Sequence, residues 1–315
     1  MKTILAFFRL IRWPNLLFIV VTQILFYYCV YTPLLIEFPS YNKQLLFFLL
    51  SMASVLIAAA GYIINDYFDI QIDIINKPDK IVINKFIKRR WAIIWHFIFS
   101  ALGVVISFYV SVKTGEWLIL VINFLCVLLL WVYSTTFKRK LLSGNLIIAA
   151  LTAWVIIVIY LFVGADIFSL KGWAKDSVDF NVRRLFKFTL LFASFAFIMT
   201  LIREVIKDLE DMEGDRKYHC TTMPIIWGVP ASKVFTAVWI VVCVAALGIV
   251  QLYAWQSGWW FATFYILLLL VLPLLFLLNK LYKATTPAHY KELSSIVKIV
   301  ILFGILSMLF LKFTV

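Results

Sequence analysis

The chain has 315 residues, of which 64% are hydrophobic and only 14% charged, and its mean hydropathy is +1.00. That is more apolar surface than one water-soluble core can bury, which excludes a soluble globular domain and places the chain in a bilayer. The formal net charge of +13 does not point to nucleic acid, because the basic residues flank apolar runs, where anionic lipid head groups are the natural partner.

The opening MKTILAFFRLIRWPN sets basic residues before an apolar run, as a signal peptide does. Arg9, Arg12 and Pro14 interrupt that run and no small-x-small cleavage site follows, so the segment predicts an interfacial helix leading into a first span. Apolar runs of bilayer-spanning length predict nine helices, near residues 14–34, 45–64, 91–112, 117–136, 144–165, 186–206, 234–254, 258–279 and 294–314. The fold class is an all-α membrane protein. Nothing marks a soluble domain or an obligate protein partner, and residues 1–315 are expected to form one membrane domain.

Short cytoplasmic loops collect Lys and Arg. Loops on the side of the N-terminus hold Lys77, Lys80, Lys85, Lys88, Arg89 and Arg90, then Lys138, Arg139 and Lys140, then Arg203, Lys207, Arg216 and Lys217. The N-terminus and the longer polar loops at 65–90 and 207–233 are therefore expected in the cytoplasm and the C-terminus outside. Cys29, Cys126, Cys220 and Cys243 are scattered, as are His96, His219 and His289. This spacing suggests neither a disulfide framework nor a thiolate or imidazole metal site.

Ten of the 16 acidic residues occupy two short stretches, four from Asp66 to Asp79 and six from Glu204 to Asp215. On a helix, Asn65, Asp66, Asp69 and Asp73 share an arc of about 100°. Glu204, Asp208, Asp211 and Asp215 share a face in the same way if the helix survives to Gly214. Carboxylates crowded at a bilayer edge repel one another and need a compensating cation. Oxygen ligands alone suit a hard ion, Mg²⁺ above all, held together with substrate phosphates. Two such clusters with Lys and Arg nearby predict diphosphate binding through metal ions.

The pattern Asn65-Asp66-x-x-Asp69-x-x-x-Asp73 with Ile-Asn-Lys-Pro at 75–78, and Asp208-x-x-Asp211-x-x-x-Asp215 inside REVIKDLEDMEGDRKYHCTTMPIIWG, resembles the paired signatures of the UbiA-type intramembrane prenyltransferases. RLIRWPN, Tyr133 to Lys138, Gly144-Asn145 and Thr222-Met223-Pro224 extend the likeness over most of the chain. The REVIKDLEDMEGD block is most similar to the archaeal-type members that add a second geranylgeranyl chain to geranylgeranylglycerol phosphate. The chain departs from the family where Lys80 replaces a usual arginine and a Pro-Ser-Gly turn is missing.

The resemblance implies a nine-helix bundle around a central cavity open to the cytoplasmic side. It implies Mg²⁺ held by Asn65, Asp66, Asp69, Asp73, Asp208, Asp211 and Asp215, neutralising the diphosphate of an isoprenyl donor. Lys77, Lys80, Lys138 and Arg139, with Arg203 and Arg216 behind them, are the expected diphosphate contacts. Asp66, Asp69, Asp208, Asp211, Lys138 and Tyr133 form the expected catalytic set. Tyr67, Phe68 and Tyr218 also lie near the motifs, and Tyr133 is the aromatic chosen to face the developing allylic cation.

The acceptor is either a glycerol lipid phosphate or an aromatic ring of the quinone type. A cation-coupled transporter is the alternative of another class. Transporters place membrane carboxylates near the midplane on broken helices, whereas here they stand at span ends.

Overall fold

A computed structural model describes residues 2–34, 39–78, 81–169 and 175–314. Lys80 lies outside the described residues. Among them no strand forms, and nine helices are long and apolar enough to cross a membrane. All nine coincide with the predicted runs.

The short helix α1 (Lys2–Leu10) exposes Ile4, Leu5 and Phe8 and buries Ala6 and Leu10, as an interfacial helix does. The chain turns at Arg12, in the left-handed region at φ 52°, and α2 (Trp13–Leu25) begins with Pro14 in its first turn. A π-helical turn, Phe26–Tyr31, continues this span. The long helix α3 (Tyr41–Asn76) is followed by α4 (Arg89–Thr114), α5 (Trp117–Thr135), α6 (Ser143–Ser169) and α7 (Lys175–Glu210). Two short helices, α8 (Met212–Lys217) and α9 (Met223–Ile226), lead into α10 (Gly228–Gln256). The eighth span joins α11 (Trp260–Ile266) to α12 (Leu272–Lys283) through a second π-helical turn, Leu267–Val271. Helices α13 (Pro287–Leu306) and α14 (Met308–Thr314) close the chain.

Both π turns have a local cause. Each ends two residues before a proline, Pro33 or Pro273, whose ring collides with the carbonyl four residues back and removes a hydrogen bond.

Three apolar clusters hold the bundle. Phe26, Tyr27, Phe47, Ile159, Leu185 and Met308 join the first π-helical turn to α3, α6, α7 and α14. Met199, Ile206, Leu274 and Val297 join α7 to α12 and α13. Leu10, Ile63, Val82, Ile83 and Ala92 lie beneath the first aspartate motif. Outward-facing residues such as Phe97, Val105 and Phe108 on α4 and Ile249 and Leu252 on α10 are exposed and apolar, the surface a helix presents to lipid.

Since lipid is as apolar as leucine, buried polar bonds help to fix which helices pair. Asn123 on α5 donates to Ser107 Oγ on α4 at 2.8 Å and accepts from Trp154 Nε1 on α6 at 2.8 Å. Asn123→Leu leaves the Trp154 N–H unmet, while Ser107 keeps its bond to the Gly103 carbonyl, and is expected to cost about 1 kcal/mol in thermal denaturation in detergent, with turnover per folded molecule unchanged.

Two sequence expectations are corrected. Helices α3 and α7 run well past their apolar cores; at 36 residues α3 is about 54 Å long, against about 30 Å of hydrocarbon. The second motif is not one continuous helix. It breaks at Asp211 (φ −95°, ψ 5°) rather than at Gly214, and restarts as α8.

Candidate active site

The end of α3, the turn after α5, the start of α6, the end of α7 and α8 converge at one end of the bundle. Gly144 makes part of this closure possible. A Cβ there would stand 2.8 Å from the Phe137 carbonyl oxygen and 3.0 Å from Lys138 Cα, so only glycine lets the 137–139 turn fold onto the start of α6.

Between these elements lies a cavity of about 40 Å³ lined by Asp73, Asn76, Lys138, Arg139, Asp208, Asp211, Asp215, Cys220 and Ile72. It brings one carboxylate of the first motif together with three of the second, with two cations among them. Its size suits a water molecule or an ion rather than a diphosphate, so a larger ligand requires these side chains to part.

The remaining predicted residues stand around that cavity. Asn65 donates to Asp69 Oδ2 at 2.7 Å, the i, i+4 contact expected of one helix face. Asp69, 3% exposed, also takes the Lys138 ammonium. Asp66 turns to the Arg12 guanidinium at 2.7 Å and, with Asp73, lines a smaller cleft of about 10 Å³ against Ile81, Val82 and Ile83. Lys77 pairs with Asp211. Asp208 accepts from Asn145 Nδ2 at 2.8 Å. Tyr133 is buried against Gly144. The Arg139 carbonyl accepts from both the Thr221 backbone N–H at 2.7 Å and its hydroxyl at 3.0 Å, which ties the 137–139 turn to the segment after α8.

Two expected diphosphate contacts are placed elsewhere. Arg203 donates to Glu204 at 3.0 Å and shares it with Lys207 at 2.7 Å. Arg216 is exposed and does not line the cavity. Three contributors were not singled out from sequence as site residues, namely Arg12, Asn76 and Asn145. All lie in motifs quoted for the resemblance, and only the fold shows what they touch.

The electrostatics follow from this packing. Burial alone lowers the pKa of the Lys138 ammonium, but Asp69 and neighbouring charges more than reverse that and hold it above its ordinary value. Arg12 likewise stays charged against its burial, through Asp66. Burial pushes the Asp215 carboxyl up to about 6, with Asp211 and Asp69 adding to the rise against Lys138. A raised carboxyl pKa means that the folded protein binds this proton more tightly than the unfolded chain. Metal-free stability should therefore fall as pH rises from the ordinary 3.8 to about 6. Mg²⁺ affinity should rise over the same interval as the proton leaves. Isothermal titration of Mg²⁺ at stepped pH checks this, with Asp215→Asn losing that part of the pH dependence.

Among the described residues, no three His, Cys, Asp or Glu side chains stand ready to chelate one ion. The carboxylates are instead drawn to Arg12, Lys138, Lys77 and Asn145. Their chemistry nonetheless fits a hard cation. The donors are oxygens, four carboxylates surround one small cavity, and the buried Asn65 Oδ1 has no hydrogen-bond partner.

Comparison with known proteins bears on the fold and the family. The chain is 30% identical over 189 residues to the digeranylgeranylglyceryl phosphate synthase of Methanosphaera stadtmanae, a match spanning 60% of each protein. A structure of digeranylgeranylglyceryl phosphate synthase in membranes superposes with a TM-score of 0.62 at 24% identity, over 98% of this chain and 99% of that one. A UbiA homolog from Archaeoglobus fulgidus, bound to GPP and Mg²⁺, gives 0.57 at 15% identity, over 96% and 99%. At these identities the structures speak for the fold. Residues 24–302 match the model of the UbiA prenyltransferase family; with that match, and nine helices of membrane-spanning length among the described residues, the chain is an integral, multi-pass membrane protein and belongs to the UbiA prenyltransferase family.

Proposed function

We propose that the chain transfers a geranylgeranyl group from its diphosphate to the free hydroxyl of geranylgeranylglycerol phosphate, forming an ether lipid. The observation that carries this is the cavity where Asp73 meets Asp208, Asp211 and Asp215 beside Lys138 and Arg139. The similarity to a digeranylgeranylglyceryl phosphate synthase favours the glycerol lipid over an aromatic acceptor. Carboxylates paired with cations at helix ends favour phosphate chemistry over ion transport.

In this reading Asn65, Asp66, Asp69 and Asp73 on α3, and Asp208, Asp211 and Asp215 across from them, hold Mg²⁺. Bound there, the ion neutralises the donor's diphosphate and makes it a better leaving group. Lys77, Lys138 and Arg139 donate to the diphosphate oxygens, the two lysines exchanging Asp211 and Asp69 for substrate. Lys80, assigned from sequence alone, joins them. Arg203 and Arg216 are left out of the set.

The allylic C–O bond breaks with its electron pair leaving on the diphosphate. Positive charge builds on the allylic carbon beside the ring of Tyr133. The acceptor hydroxyl oxygen then bonds to that carbon and releases its proton. The prenyl tails lie among the apolar faces of the spans, with the N-terminus and the site in the cytoplasm and the C-terminus outside, following the basic loops.

Purified protein in detergent, given Mg²⁺ and radiolabelled geranylgeranyl diphosphate, tests the proposal with geranylgeranylglycerol phosphate and dihydroxynaphthoate or hydroxybenzoate offered in parallel. Label in the glycerol lipid is the expected result. Label in the aromatic acid alone would make this a quinone-type enzyme, and label in neither, with behaviour indifferent to EDTA, would return the transporter.

A further inference from the structure

We propose that Asn76 is a positioning residue, a clamp that sets the second aspartate motif against the first. It is the last residue of α3, and its amide reaches across 135 positions of sequence to the break between α7 and α8. Its Nδ2 donates to the Asp211 carbonyl at 3.0 Å, and its Oδ1 accepts the Gly214 N–H at 2.9 Å. One side chain thus accepts from the Gly214 N–H, a donor that the start of a helix leaves without an intrahelical partner, and adds a second donor to the Asp211 carbonyl, which also accepts the Asp215 N–H at 3.2 Å. The neighbouring Lys77 takes the Asp211 carboxylate. Residues 76 and 77 therefore hold the backbone and the side chain of the same aspartate.

The fit around this amide is close. A Cβ on Gly214 would lie 2.4 Å from Asn76 Oδ1 and 2.5 Å from Nδ2, well inside contact distance. Only glycine at 214 lets α8 come near enough to be held, and Asp215, the next residue, is thereby kept at the cavity wall. Asn76 lines the same cavity without being needed as a ligand. Only an amide offers both a donor and an acceptor at this length; an aspartate keeps the acceptor, loses the donor and adds a charge beside four carboxylates. The inference rests on the proposed prenyl transfer for its activity readout and on geometry alone for its structural one.

The test is a double-mutant cycle on the full-length protein in detergent, using Asn76→Ala, Gly214→Ala and both together. Each single change is expected to lower turnover by up to about a hundredfold, the scale of a catalytic group displaced by about 1 Å. The double variant should be no worse than the poorer single, because both act through one contact. Hydrogen exchange of the metal-free protein supplies a readout independent of turnover. Amides from Asp211 to Lys217 should exchange faster in Asn76→Ala, with the rest of the bundle unchanged, and Asn76→Asp should not restore protection. Additive losses, or unaltered exchange over 211–217, would overturn the clamp. Exchange that rises throughout the chain would overturn it too, since Asn76 would then support the whole fold rather than one turn. A wild-type protein with no transferase activity would sink the function proposal while leaving the exchange comparison to judge the clamp.

Discussion

Asp69→Asn is expected to reduce turnover by roughly a thousandfold, the equivalent of about 4 kcal/mol of lost transition-state stabilisation. The asparagine keeps the shape of Asp69 and an acceptor for Lys138 and Asn65, so the thermal midpoint in detergent should move little. What disappears is the charge, at a residue buried between the first motif and the Lys138 ammonium. Asp208→Asn should behave alike, because an amide at 208 can still meet Asn145. Alanine is the poorer probe at position 69, since it also removes the oxygen that accepts from Lys138 and Asn65. Wild-type turnover in either asparagine variant would remove metal ions from the mechanism.

Lys138→Met carries the next largest effect, about a hundredfold in turnover, the size of one lost charged donor to a developing anion. The same substitution should lower the Mg²⁺ concentration needed for half-maximal rate. On the proposed reading an incoming cation must displace the Lys138 ammonium from Asp69, whereas in the methionine variant that carboxylate is held only by Asn65. Turnover thus worsens while the apparent affinity for the metal improves. Steady-state rates across a Mg²⁺ titration separate this from a loss of fold, in which both would worsen. A variant that needs more Mg²⁺ would place Lys138 outside the carboxylate set.

The nine spans were legible because the length of an apolar run is a local property, and so was the shared face of Asn65, Asp66, Asp69 and Asp73, which follows from helical spacing. The break at Asp211 was not. Gly214 carried the obvious local signal, yet the helix yields three residues earlier, where Asn76 and Lys77 from another part of the chain bond to Asp211. The ion pairs were hidden for the same reason: Arg12 meets Asp66 across 54 positions and Lys138 meets Asp69 across 69. Sequence spacing assembled each motif, but which cation neutralises which carboxylate is decided by tertiary packing. Arg203 shows the converse, being near the second motif in sequence yet engaged by its neighbour Glu204.

The unbroken length of α3 couples the chemistry to the surrounding lipid. One rigid rod both crosses the hydrocarbon and carries the first aspartates, and α7 does the same for the second set as far as Glu210. In a thinner bilayer both rods must lean to keep their apolar surface covered, and a change of tilt is magnified at their protruding ends. The distance between the two aspartate sets is then governed by acyl-chain length. Reconstituted into phosphatidylcholines of increasing chain length, the protein should show an optimum in turnover at the thickness for which α3 and α7 stand at their present angle.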